Sequence, residues 1–107
     1  MNARRWVRVT TRDNIPLREG RAVTLGGREI AIFNLGDRFV ATDNRCPHAG
    51  GPLCDGIVAG DAVVCPLHAW KVRFDTGGVE RPTACPASVA TYRTRLEDGI
   101  ILLELPA

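Results

Sequence analysis

Apolar residues in this chain recur at every second position, in short runs that end on glycine or aspartate. Arg21–Leu25 (RAVTL) and Arg28–Phe33 (REIAIF) flank Gly26-Gly27, the signature of a tight hairpin. Arg38–Thr42 (RFVAT) follows a turn at Gly36-Asp37, and Asp61–Cys65 (DAVVC) and Lys71–Phe74 (KVRF) repeat the pattern, the latter closed by DTGG. SVATYRTRL, Asp98-Gly99 and IILLEL read as a closing hairpin, and Trp6–Val9 (WVRV) reads as an edge strand. No stretch carries the 3.6-residue period of an amphipathic helix, and Asp13 to Pro16 suit only a short turn. Many short strands joined by glycine and aspartate turns indicate an all-β sandwich or barrel.

At 107 residues the chain is expected to form one domain, spanning 1–107. It holds 45% hydrophobic and 24% charged residues, an ordinary balance for a soluble protein. A formal charge of +2 gives no basis for a nucleic-acid partner. Arg4, Arg5, Arg8 and Arg12 make the amino end locally basic, which reads as a solvated face. No apolar run approaches the roughly 20 residues of a membrane span. The opening MNARRWVRV has no apolar segment behind its charges, unlike a secretory signal. A cytoplasmic location is therefore expected, where thiols stay reduced, so the four cysteines read as ligands or buried thiols.

Both histidines and two of the cysteines fall into paired boxes: Cys46-Pro47-His48, sixteen residues, then Cys65-Pro66-Leu67-His68. Each box supplies one soft thiolate and one imidazole, and each lies at a strand end or in a loop, where a sheet can hold a site. Two cysteines and two histidines also make a tetrahedral zinc set. Zinc sites, however, usually group like ligands at Cys-x-x-Cys spacing, whereas these boxes mix the two types. Mixing suits a two-iron cluster, with Gly50 and Gly51 letting backbone amides approach the sulfides.

With this separation the boxes CPH and CPLH resemble the Rieske [2Fe–2S] proteins, in which two histidines replace two cysteines on one iron. The resemblance covers most of the chain. It implies a Rieske-type fold of stacked antiparallel sheets with two cluster-binding loops at one end. It also implies that Cys46 and Cys65 hold one iron and His48 and His68 the other, with the histidine edge exposed for electron exit and partner docking. Respiratory and photosynthetic members add a disulfide cysteine to each box; the matching positions here are Gly51 and Leu67, so that bridge is not expected. Trp70 and Val72 stand where those proteins place a serine and a tyrosine that hydrogen-bond the cluster. The potential is therefore expected toward the low end of the Rieske range of roughly −150 to +300 mV.

Two groups of low-potential members remain. IPLREGRAV, EIAIFNLGDRFVATDNRCPHAGGPLCDGIV and VVCPLHAWKVRFDTGGVERP look like the small subunit of assimilatory NAD(P)H-dependent nitrite reductase, which works beside a large catalytic subunit. The alternative is a soluble Rieske ferredoxin feeding a ring-hydroxylating oxygenase; a zinc-binding interaction module is a third reading. With no nucleophile, acid–base pair or substrate pocket in evidence, the chain is not expected to be catalytic alone. Leu67 and Trp70, with Pro52, Leu53, Pro82 and Pro86, are candidates for an apolar collar around the cluster. Cys54 and Cys85 read as packing thiols.

Overall fold

The computed structural model describes residues 4–46, 51–67, 69–80 and 88–106. Ten strands follow in chain order: β1 (Arg4–Thr11), β2 (Gly20–Leu25), β3 (Arg28–Asn34), β4 (Phe39–Asp43), β5 (Ile57–Ala59), β6 (Ala62–Val64), β7 (Lys71–Arg73), β8 (Thr91–Tyr92), β9 (Thr94–Glu97) and β10 (Ile100–Pro106). The helical segments among the described residues are two 3-10 turns, Arg12–Asn14 and Leu53–Asp55. The strands form three antiparallel sheets, ordered β1-β10-β9, β2-β3-β4-β8 and β5-β6-β7. The all-β expectation holds.

Two hairpins form for the reason their turn residues suggest. Gly26 and Gly27 adopt φ of +55° and +80°, and Asp98 and Gly99 adopt +52° and +78°. Positive φ at both central residues is what a two-residue loop between twisted strands requires. The registers Leu25↔Arg28 and Glu97↔Ile100 follow directly. WVRV lies, as expected, in an edge strand, β1, which bulges between Arg8 and Thr10. Arg5, Arg8 and Arg12 are exposed.

Alternation on β3 does not divide core from solvent, because Ile30, Ala31, Ile32 and Phe33 are all fully buried. Its two faces serve two cores. Ala31 and Phe33 join Leu35, Cys46, Leu53, Val63, Cys65, Val72, Phe74 and Val89. Ile30 and Ile32 join Ile15, Ala41, Tyr92, Ile101, Leu103 and Leu105. The Phe33 and Phe74 rings, 4.9 Å apart and tilted by 47°, anchor the first core.

Two elements depart from the sequence reading. SVATYRTRL is not one strand: Ala41↔Tyr92 and Thr42↔Thr91 attach β8 to β4, whereas Thr94 to Glu97 pair with β10. The chain changes sheets at Arg93, and period-two alternation looks the same on both sides of such a corner. The three-residue strand β5, which pairs with β6, has no pattern of its own.

Candidate metal centre

The two cysteines of the boxes follow strands of different sheets. Cys46 follows β4 through Asn44 and Arg45, and its N–H donates to the Gly51 carbonyl at 2.9 Å. Arg45 and Pro52 bridge one step further out. At the base, the Leu53 N–H donates to the Asn44 carbonyl at 2.7 Å. Residues 44–54 are thus laced shut below their tip. Cys65 follows β6, and its N–H donates to the Trp70 carbonyl at 2.7 Å. Closing so short a loop needs a left-handed residue, and Ala69 takes that role at φ +58°.

Cys46 and Cys65 are 1% and 2% exposed and share one apolar cluster. The Leu67 N–H donates to Cys65 Sγ at 3.4 Å. Amides aimed at a cysteine sulfur are a common means of tuning a metal–sulfur group. Neither cysteine is in a disulfide, and neither is Cys54.

Gly51 is buried, and a Cβ on it would lie 3.0 Å from Cys65 Sγ and from Leu67 Cγ. The two loops therefore touch at Gly51 and Leu67, the positions where respiratory Rieske proteins carry their disulfide cysteines. Leu67 is 42% exposed and lies, like Cys65 Sγ, against Gly51. Leu53 is fully buried in the core that holds both thiols, Trp70 packs on that core half-buried, and Pro52 is exposed. Val72 is fully buried and carries no hydroxyl.

His48, Gly50 and His68 lie outside the described residues, as do Pro82, Cys85 and Pro86. The described half of the donor set fits a metal–sulfur group: two buried soft donors, an amide on one sulfur, and a glycine where a side chain would crowd it. Cys54 is unlike them. It is half-buried, with burial and then the Asp55 carboxylate pushing its thiol pKa up. Such a thiol is poorly reactive.

Asn44 escaped the sequence reading. It is 2% exposed, and its side-chain oxygen accepts the Cys54 N–H at 2.8 Å. An asparagine beside a glycine-rich loop has the same letter whether buried or solvated, so only its place directly before Arg45-Cys46 could have flagged it.

Residues 5–93 match the Rieske [2Fe-2S] domain family. The chain belongs to that family. A Rieske domain carries a [2Fe–2S] cluster as its cofactor and transfers single electrons. The chain is similar to the ferredoxin component of the naphthalene 1,2-dioxygenase/salicylate 5-hydroxylase systems of a Ralstonia species, 31% identical over 101 residues, 94% of this chain and 95% of the relative. Among solved structures it resembles a Mycobacterium tuberculosis chain assigned as the small subunit of an NADH-dependent nitrite reductase. That match has a TM-score of 0.87 and 25% identity and covers 98% of each chain. It also resembles the ferredoxin of carbazole 1,9a-dioxygenase from Nocardioides aromaticivorans, with a TM-score of 0.82 and 28% identity over 92% of this Rieske domain and 95% of that chain. No helix among the described residues is long and apolar enough to cross a membrane.

Proposed function

We propose that this Rieske domain is the electron-transfer small subunit of an NAD(P)H-dependent nitrite reductase, its cluster held by Cys46, His48, Cys65 and His68. The observation that carries the reading is the likeness to the M. tuberculosis chain, which runs end to end over 98% of both. A role as ferredoxin to a ring-hydroxylating oxygenase is the second reading, supported by the 31% identity to the Ralstonia ferredoxin component. Both readings use the same site and differ only in the partner.

When bound, a [2Fe–2S] cluster supplies reversible one-electron chemistry. Cys46 and Cys65, both buried, would supply thiolates to one iron, and His48 and His68 would supply neutral imidazoles to the other. The Leu67 amide draws charge from the Cys65 sulfur, while the apolar core around both thiols disfavours extra negative charge. With no hydroxyl at Trp70 or Val72, one stabilising influence on the reduced state is missing, and the midpoint falls toward the low end of roughly −150 to +300 mV. The edge at His48 and His68 is where the large catalytic subunit docks and receives the electron.

Anaerobic reconstitution with iron and sulfide, followed by reduction, tests the site. A rhombic EPR signal is expected from the wild-type chain and none from His48→Ala; a normal spectrum in that variant refutes the ligand set. Mixing the reduced protein with a siroheme-containing nitrite reductase large subunit, and separately with a ring-hydroxylating oxygenase, tests the partner. Fast oxidation by the first alone is the expected result, and fast oxidation by the oxygenase alone overturns it.

A further inference from the structure

We propose that Asn44 is a positioning residue for the first ligand loop, clasping both of its ends and thereby setting the geometry in which Cys46 meets the cluster. The proposal rests on the reading of Cys46 as a ligand.

Three hydrogen bonds converge on this one residue. Its N–H donates to the Glu29 carbonyl on β3 at 2.9 Å. Its carbonyl accepts the Leu53 N–H at 2.7 Å, and its side-chain Oδ1 accepts the Cys54 N–H at 2.8 Å. The last two donors belong to the first residues of the 3-10 turn Leu53–Asp55, whose opening amides have no partner within the turn. A capping side chain at the preceding residue normally satisfies one of them. That residue is Pro52, which makes no such bond. Asn44 supplies the missing cap from the other end of the loop, ten residues before Cys54.

This placement matters because of what the capped turn carries. Leu53 is fully buried against the core that holds Cys46 and Cys65. Capping the turn holds Leu53 under the thiols and fixes the base of the loop, so that Arg45–Pro52 and Cys46–Gly51 pair above it. Thr42 and Asn44 are the buried polar side chains among the described residues, but Thr42 donates its hydroxyl to the neighbouring Asp43 carbonyl, at 2.8 Å. Among the described residues, Asn44 reaches across the loop to Cys54.

The experiment compares the wild type with Asn44→Ala, Asn44→Asp and Thr42→Val. In the cluster-free protein, amide exchange at Cys54 is expected to accelerate roughly tenfold in Asn44→Ala, the usual scale for a lost cap or buried hydrogen bond. Asn44→Asp keeps the acceptor oxygen and should restore protection, and Thr42→Val should leave Cys54 unchanged. In the reconstituted protein, the visible spectrum of Asn44→Ala is expected to bleach several-fold faster under a chelator at a temperature where all variants are folded. Should Asn44→Ala not fold, Asn44→Ser, whose hydroxyl stops short of Cys54, is expected to show the same faster exchange. A loss of melting temperature like that of Thr42→Val, with Cys54 exchange and bleaching both at wild-type rates, overturns the proposal. Failure of the wild-type chain to take up a cluster would instead refute the ligand reading, and the exchange measurement would still decide whether Asn44 is the clasp.

Discussion

At position 51 a single carbon would stand 3.0 Å from Cys65 Sγ and 3.0 Å from Leu67 Cγ. Leu67 is exposed enough to swing away, but a Cys65 sulfur held on iron, as proposed, could not. Gly51→Ala is therefore expected to fold, at a cost of about 1–3 kcal/mol for the overpacking, and to hold less iron per chain than the wild type after identical reconstitution. Iron analysis beside a melting curve checks this, and full iron content would show that the Cys65 sulfur has room to move. The sequence located Gly51 by its alignment with a disulfide cysteine, but the reason for glycine is a contact between two loops, which no local pattern encodes. The thiols were legible sooner: the paired boxes set Cys46 and Cys65 apart from Cys54 in the sequence, and in the fold those two are buried while Cys54 is half-buried. Cys54, its pKa pushed up by burial and by Asp55, is expected to alkylate more slowly at neutral pH than an exposed thiol; mass-resolved labelling of the native protein reads that rate.

Strands were legible wherever alternation met a glycine or aspartate turn, as at Gly26-Gly27 and Asp98-Gly99. They were illegible where tertiary pairing alone decides, as at the corner at Arg93. β8 meets β4 through the short register Ala41↔Tyr92 and Thr42↔Thr91, extended by the Asp43 N–H donating to the Ala90 carbonyl at 2.9 Å, and side chains reinforce the joint. The Tyr92 hydroxyl donates to Asp43 Oδ1 at 2.5 Å and accepts from the Arg28 guanidinium at 3.2 Å. Tyr92→Phe is expected to cost on the order of 1 kcal/mol, the usual net worth of such a bond, and to speed amide exchange at Thr91 and Tyr92. Burial, and then the bond to Asp43, raise the phenol pKa above its ordinary value of 10.0. The native state therefore keeps this proton to higher pH than the unfolded chain does. The contribution is complete below about pH 10 and is lost as pH rises through the raised native value. Wild-type and Tyr92→Phe stabilities should converge in that alkaline window. Tyr92 is the only tyrosine of the chain, so an ultraviolet titration follows its proton alone, and a midpoint at or below the ordinary value would contradict this account.

On the scale of the whole molecule, the two cores divide the labour, and β3 is the wall between them. One core contains Cys46, Cys65 and the packing around them; the other, built on Ile30, Ile32, Ile101, Leu103 and Leu105, contains neither thiol. This division was hidden in the sequence, where four consecutive buried residues on β3 look like any apolar run. It has a consequence for metal removal. On the proposed ligand set the cluster would cross-link two loops that leave different sheets, so its loss would free both. The second core keeps every contact it had, including the long β1–β10 ladder from Arg4↔Pro106 to Thr11↔Ile100. Stripping iron with acid and a chelator is thus expected to leave a partly ordered protein rather than an unfolded one. Amides of Val63, Cys65 and Val72 should exchange faster after stripping, while those of Ile101 and Leu103 keep their protection. Residue-resolved exchange on holo and stripped protein makes the comparison. Equal loss of protection in both cores would mean that β3 couples them into one cooperative unit, and equal retention would mean that the cluster contributes nothing to the core that holds it.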